Sequence, residues 1–267
     1  MVKAIPTPVR ILATVLVVLT VLVLLAPLAV VVGVSFSQSE FIAFPPQGWS
    51  LRWYQEVLGS GTYLASAVTS LKIAVLVTLA ATLAGGAAAV ALHRGKLPFS
   101  GLMATFFLSP LVLPTIIFAI GMLMFWSKVF GQVSVLTLWL SHTVVAMPYV
   151  IRTTLAVLSE SDPFLEEAAG TMGAGRLQRL WFVVLPQCIP GLGAGAFFAF
   201  NISFDEAVLS LFLRKPDMTT LPVQIYGQLE FSPDPSVAAV SAIMIAFTVL
   251  MILVIDKILG LQRFARS

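Results

Sequence analysis

Residues 159–187 read SESDPFLEEAAGTMGAGRLQRLWFVVLPQ, a polar interruption between two long apolar runs, and its reading decides the fold. Asp162 can cap a short helix with Pro163 at the first position, where a missing N–H costs little, and Glu166 and Glu167 lie favourably near its positive end. Gly173, Ala174 and Gly175 then supply a tight turn at small steric cost. A second helix from Arg176 carries Leu177, Leu180, Trp181 and Val184 at helical spacing, so it has one apolar face before Leu185-Pro186 stops it. The segment therefore predicts a helical hairpin outside the membrane whose apolar face needs a partner.

Working outward, a helix that crosses the hydrocarbon core takes about 20 mainly apolar residues. Six segments qualify, 11–34, 66–92, 102–126, 134–157, 189–212 and 237–259, with the hairpin at 159–187 between the fourth and fifth. The composition agrees: 59% of the 267 residues are hydrophobic, 10% are charged and the mean hydropathy is +1.01, against about 25% charged in an ordinary soluble domain. Lys3 and Arg10 could imitate the basic start of a signal peptide. The apolar run from Ile11 to Val32 is longer than the roughly 7 to 15 residues of a signal core, so it is expected to remain as an anchor.

Long runs without period-two alternation exclude a barrel, and backbone in lipid must then be helical. The expected architecture is an all-α, polytopic bundle of six transmembrane helices, a single domain over residues 1–267. Pro27, Pro110, Pro114 and Pro148 fall inside spans and should kink them. Gly85, Gly86, Gly191, Gly193 and Gly195 permit close helix approach. No internal repeat of the kind found in many self-contained secondary transporters is visible.

Basic residues favour cytoplasmic flanks. With the N-terminus inside, Lys3, Arg10, Arg94, Lys96, Arg152, Arg176, Arg179, Lys257, Arg263 and Arg266 are cytoplasmic, ten of the fifteen. Arg52, Lys72, Lys128, Arg214 and Lys215 remain outside. Both termini are thus expected in the cytoplasm. The external parts are then a segment from Ser35 to Ala65, with Trp49, Trp53 and Tyr54 as interfacial aromatics, a turn near Gly131, and a loop from Leu213 to Ser236. The net charge of +3 comes with no basic cluster interleaved with aromatics, so nucleic acid is not an expected partner. The one cysteine, Cys188, excludes an internal disulfide and reads as a small buried residue.

The order Glu167-Ala168-Ala169, three residues, Gly173, nine residues, Val183, one residue, Leu185-Pro186 resembles the EAA motif of ATP-binding-cassette (ABC) importer permeases, with Val183 in place of the usual isoleucine. Other segments are similar to the spermidine/putrescine-type branch: Pro45 to Tyr54, Leu108-Ser109-Pro110 with Pro114, Ser203-Phe204-Asp205-Glu206, and Thr220-Leu221-Pro222-Val223 with Tyr226. The resemblance runs along essentially the whole chain. It implies a permease of the type I importer kind in a bacterial inner membrane. Its implied partners are membrane lipid, a second and usually non-identical permease subunit, two cytoplasmic ATPase subunits and an extracytoplasmic substrate-binding protein.

No phosphate loop of the form G-x-x-x-x-G-K-[ST] occurs in the chain, so ATP chemistry would have to be supplied in trans. The resemblance accordingly implies no cofactor here, with ATP and Mg bound by the partner ATPase. It also implies that the first hairpin helix is a coupling helix. Glu167 would bond the ATPase, Ala168 and Ala169 would let the helix lie deep in its groove, Gly173 would set the hairpin angle, and Leu185-Pro186 would return the chain to the membrane.

Ionisable groups inside a membrane are costly and mark candidate functional sites. On the fifth span Asn201 and Asp205 are four residues apart and share a face, while Ser203, Glu206 and Ser210 follow on a neighbouring one. Two readings are open. The stripe lines a substrate path, where carboxylates suit a polyammonium solute, or the acids cap a broken helix or hold a partner subunit. His142 reads as a hydrogen-bonded interior histidine rather than a proton relay, and Met103, Met122, Met124 and Met147 as packing residues.

The expected function is a non-catalytic permease subunit of an importer for polyamines or a related small organic solute. A self-sufficient channel or secondary transporter would require a repeat or a denser charged relay. A membrane enzyme would require a convergent acid, base or metal set, which the acidic pair does not provide.

Overall fold

The computed structural model describes residues 6–94, 98–215 and 217–259. Lys3, Lys96, Arg263 and Arg266, used above for orientation, lie outside them. Among the described residues the regular structure is helical apart from one isolated antiparallel bridge between Ser37 and Trp49. In order come α1 (Thr7–Ser35), α2 (Arg52–Gly59), α3 (Gly61–His93), α4 (Ser100–Leu108), α5 (Thr115–Phe130) and α6 (Val135–Glu160). They are followed by α7 (Phe164–Thr171), α8 (Arg176–Arg179), α9 (Leu185–Phe204), α10 (Ala207–Leu213), α11 (Leu221–Phe231) and α12 (Ser236–Leu259).

Among the described residues five helical stretches are long and apolar enough to cross a membrane, and a bent pair makes a sixth. The pair is α4 with α5. The third span is not one straight helix: Ser100–Leu111 and Thr115–Phe130 meet at 99°. Pro110 sits in a 3-10 turn at Ser109–Leu111, and Pro114 stands just before α5 with extended backbone, φ −57° and ψ 124°. Two donors are missing within five residues, and the α-helical ladder does not survive that. Pro148 lies alone inside α6, which continues through it. The segments expected to be loops also hold helices, α2 in the first and α11 in the last.

Two compact units are distinguished. The first is Met1–Gly61 with Gly227–Phe247, described from residue 6 onward. Here Phe36 packs on Tyr54 and Trp49, with ring centroids 5.1 and 6.3 Å apart, and the Tyr54 hydroxyl lies 2.7 Å from Ser35 Oγ. Trp53 is buried with the Arg52 guanidinium 4.3 Å from its ring centroid. The aromatics expected at the lipid interface thus differ, since Trp49 is exposed while Trp53 is part of the fold.

The second unit is Thr62–Tyr226 with Thr248–Ser267. Its core gathers Ile73, Val77 and Ala81 of α3, Ala119 of α5, Leu138, Ala146 and Val150 of α6, Ala199 of α9, and Leu209 and Leu213 of α10. Between α6 and α9 there is almost no side chain at the closest points. A Cβ built on Gly191 would stand 2.8 Å from the Thr153 carbonyl oxygen, and one on Gly195 would stand 2.7 Å from Val150 Cα. Gly85 of α3 likewise faces Val150 and the Met147 carbonyl of α6. Helices in lipid lack a hydrophobic drive toward one another, so this kind of backbone approach is what holds them.

Candidate functional site

The hairpin between α6 and α9 forms where the polar segment dictates. Asp162 Oδ1 accepts the backbone N–H of Phe164 at 2.9 Å, so the predicted cap is made, with the helix starting one residue after Pro163. α7 ends in a Schellman arrangement. Gly173 N–H donates to the Gly170 carbonyl and Ala174 N–H to the Ala169 carbonyl, both at 3.0 Å. Gly173 takes φ +89°, a left-handed conformation at which a β-carbon is strained. The Arg179 guanidinium lies over Gly170 and closes the two arms of the hairpin.

The second arm differs from the expectation. Leu185-Pro186 does not stop a helix. α8 runs through a π turn at Leu180–Val184 straight into α9, and Arg176–Phe204 forms one continuous helical stretch. In the π turn Leu185 N–H bonds to the Leu180 carbonyl, five residues back. The wider turn takes up the change in hydrogen-bond register ahead of Pro186, whose nitrogen has no hydrogen to give. Leu180 and Val184 pack with Leu158 and Cys188, which is fully buried, whereas Leu177, Trp181 and Phe182 are exposed.

On α7 Glu167 and Ala168 are exposed, and Ala169 is buried in the chain. Glu166 is tied to Arg94, at the end of α3, by an ion pair of 3.1 Å between partly exposed side chains. Exposed pairs contribute about 0.2 to 1 kcal/mol. Replacing Arg94 by Ala is therefore expected to lower the melting temperature of the purified protein only slightly. A drop beyond that range would show that the pair sets the hairpin's position. Beside it opens a polar crevice of about 530 Å³, whose lining includes Glu167, Arg176, Arg179 and Gln187.

The second group of predicted residues lies on a break rather than along a single helix. α9 ends at Phe204 and α10 begins at Ala207. Asn201 turns inward on its own helix, donating its side-chain N–H to the Phe197 carbonyl at 2.8 Å. Ser203 is buried against His142, with 3.0 Å between its Oγ and Nδ1. Glu206 caps α10, and its Oε1 accepts the N–H groups of Val208 and Leu209 at 3.0 and 3.1 Å. Asp205 stands exposed at the corner, and among the described residues its carboxylate has no hydrogen-bond partner. The structure thus separates two acids that the sequence reading grouped.

Removing a helix cap costs about 1 kcal/mol. Glu206→Gln, which keeps an acceptor oxygen, is expected to hold the thermal stability of the purified protein, and Glu206→Ala to lower it. Equal melting temperatures for the two variants would contradict the cap.

One contact lay beyond the sequence reading. The Leu221 N–H donates to Ser70 Oγ at 2.8 Å, so α11 is started by a side chain from α3. The residues lie 151 positions apart, and only the fold brings them together. Among the described residues no group of His, Cys, Asp and Glu is placed to hold a metal ion.

Helices long enough to cross a membrane, joined through a capped polar hairpin and interrupted by a charged corner, define the class as a polytopic membrane protein. Residues 81–262 match the family model described as binding-protein-dependent transport system inner membrane component, and the chain belongs to that family.

The chain is 30% identical over 238 residues to the putrescine transport system permease protein PotI of Escherichia coli (strain K12), covering 86% of this chain and 84% of the relative. It is also 30% identical over 231 residues to the spermidine/putrescine transport system permease protein PotC of the same organism, covering 85% and 86%.

Among solved structures it resembles a bacterial ABC transporter involved in the import of the acidic polysaccharide alginate. That likeness has a TM-score of 0.64 at 17% identity and covers 94% of this chain and 95% of that one. It also resembles the MetNI methionine ABC transporter in inward-facing conformations, with a TM-score of 0.60 at 20% identity, covering 74% and 94%. These two likenesses establish the fold. The chain is a non-catalytic permease component of a binding-protein-dependent importer.

Proposed function

We propose that this permease imports polyamines, in the manner named for PotI and PotC. The observation that carries the reading is the equal 30% identity to both, over matches that take in about 85% of the chain. In this assembly the chain pairs with a second permease, rests on two ATPase subunits that bind ATP and Mg, and receives its solute from an extracytoplasmic binding protein. Both termini and the hairpin face the cytoplasm, as the distribution of basic residues favours. Residues 1–267 act as one permease domain.

Glu167 and Ala168 form the face that enters the ATPase groove. Ala169 supports that face from inside, and Gly173 sets the angle of the hairpin. Leu185-Pro186 carries the displacement into α9. At the other end Asp205 supplies the carboxylate for the passing ammonium groups, while Asn201, Ser203 and Glu206 shape the corner that presents it.

Co-expression with the partner permease, ATPase and binding protein, followed by reconstitution, tests this. ATP-dependent uptake of radiolabelled spermidine or putrescine that requires the binding protein is the expected result. Absence of polyamine uptake by a complex that moves another solute would overturn it. Asp205→Asn is expected to lower polyamine uptake about tenfold, the scale of one charge-assisted hydrogen bond, with basal ATPase activity and assembly retained. Loss of the complex itself would give Asp205 a structural role instead.

A further inference from the structure

His142 is 1% exposed on α6 and takes no part in the roles assigned above. Its two ring nitrogens reach opposite sides of the break. Nδ1 lies 3.0 Å from Ser203 Oγ on α9, and Nε2 lies 3.3 Å from Ser210 Oγ on α10. A neutral imidazole offers one donor and one acceptor, and a serine hydroxyl can complement either, so both contacts can be made at once. Both serines are buried. Removing the ring would leave two hydroxyls without their partner, at a cost that exceeds the net gain of forming the bonds.

Between the two serines the chain leaves one helix, turns at Asp205 and Glu206, and enters the next. Glu206 fixes only the start of α10. Apolar packing of α6 against α9 and α10 surrounds the corner, and these two hydrogen bonds fix α9 and α10 to a single side chain of α6. That helix is itself locked to α9 at Gly191 and Gly195, so the imidazole is presented from a rigid neighbour.

We propose that His142 is a positioning residue, a strut across the α9–α10 break that fixes the direction in which Asp205 points; its role in transport rests on the reading of Asp205 as the carboxylate of the path. A strut of this kind sets the orientation of the corner more than the stability of the bundle. It touches no solute.

The test uses the assembled transporter in proteoliposomes. Asp205→Cys is made in a Cys188→Ala background, and labelling by a charged methanethiosulfonate is followed on this subunit by mass. Gln132→Cys, at an exposed turn, serves as a control in a separate preparation. Adding His142→Ala is expected to change the labelling rate at position 205 about tenfold, in line with loss of two buried hydrogen bonds, and to leave position 132 unchanged. His142→Gln, which keeps a donor and an acceptor, should fall between.

Should the alanine variant fail to assemble, the Ser203→Ala, Ser210→Ala double variant makes the same prediction with the ring in place. An unchanged rate at position 205, or an equal change at both positions, overturns the strut. With Asp205 intact, His142→Ala should also lower spermidine uptake about tenfold while stimulation of ATP hydrolysis by the binding protein persists. A wild-type complex that moves neither spermidine nor putrescine would end the polyamine reading, and the labelling result would still decide the strut.

Discussion

Reversing the charge of Glu167 with Lys, or replacing Gly173 with Asp, is expected to reduce uptake to background and to strip the ATPase from the purified complex, with membrane insertion unchanged. Glu167 is exposed on α7 and unpaired among the described residues, so its reversal costs the chain only the small favourable interaction with the start of α7. The main effect should fall on the partner, where a charge-assisted bond becomes a repulsion. Gly173 acts differently. Its φ of +89°, its bond to the Gly170 carbonyl and the bond from Ala174 to the Ala169 carbonyl define how α7 is offered. A side chain there costs on the order of 1 kcal/mol and tilts the turn.

Glu166 provides an internal control. It is a neighbour of the same charge already held by Arg94, and Glu166→Gln should leave the ATPase bound. The measurements are pull-down of the ATPase, uptake, and the membrane fraction of each variant. Normal transport by both the Glu167 and Gly173 variants would remove the hairpin from the docking role.

Gly195→Val, and Gly191→Val after it, are expected to abolish recovery of folded protein. The added β-carbon of residue 195 would lie 2.6 Å from Thr153 Oγ1 as well as 2.7 Å from Val150 Cα. Ordinary contacts between carbons are about 3.5 to 4.0 Å, so α6 and α9 would have to separate by roughly 1 Å along a contact that depends on closeness. Backbone atoms cannot rotate away as the end of a side chain does. Gly121→Ala on α5 is the matched comparison: it meets nothing within 4 Å and exchanges the poorer helix former for the better. Size-exclusion profiles and thermal stability in detergent should show loss for the α9 variants and none for Gly121→Ala. A monodisperse, stable Gly195→Val protein would refute the close approach.

The sequence made the long spans, the position of the hairpin, its cap at Asp162 and its turn at Gly173 legible, because each depends on local chemistry. Hydropathy finds apolar length but carries no angle. Residues 100–130 stay apolar across Pro110 and Pro114 whether the chain runs straight or turns by 99°. The break at Asp205 was legible only as one of two open readings, acids capping a broken helix. The favoured capping residues are Ser, Thr, Asp and Asn, and α10 is capped by a glutamate. The π turn at Leu180–Val184 was hidden, since a proline ordinarily reads as a stop and the register shift that accommodates it has no residue signature of its own.

The candidate site was half visible in the same sense. The residue types at Ser203, Asp205 and Glu206 marked the place. The partner of Ser203 did not show, since His142 is 61 positions away in the chain.

The glycine contact between α6 and α9 also governs how force travels. The hairpin hangs from the end of one of these helices and the beginning of the other. Two helices free to slide would act as a spring, and a push on the hairpin would be spent in shear. Backbones seated against each other at Gly191 and Gly195 resist that shear, so under the proposed docking role a push at one end would be delivered to the other. The charged corner stands at the far end of α9, where that push would arrive without gearing.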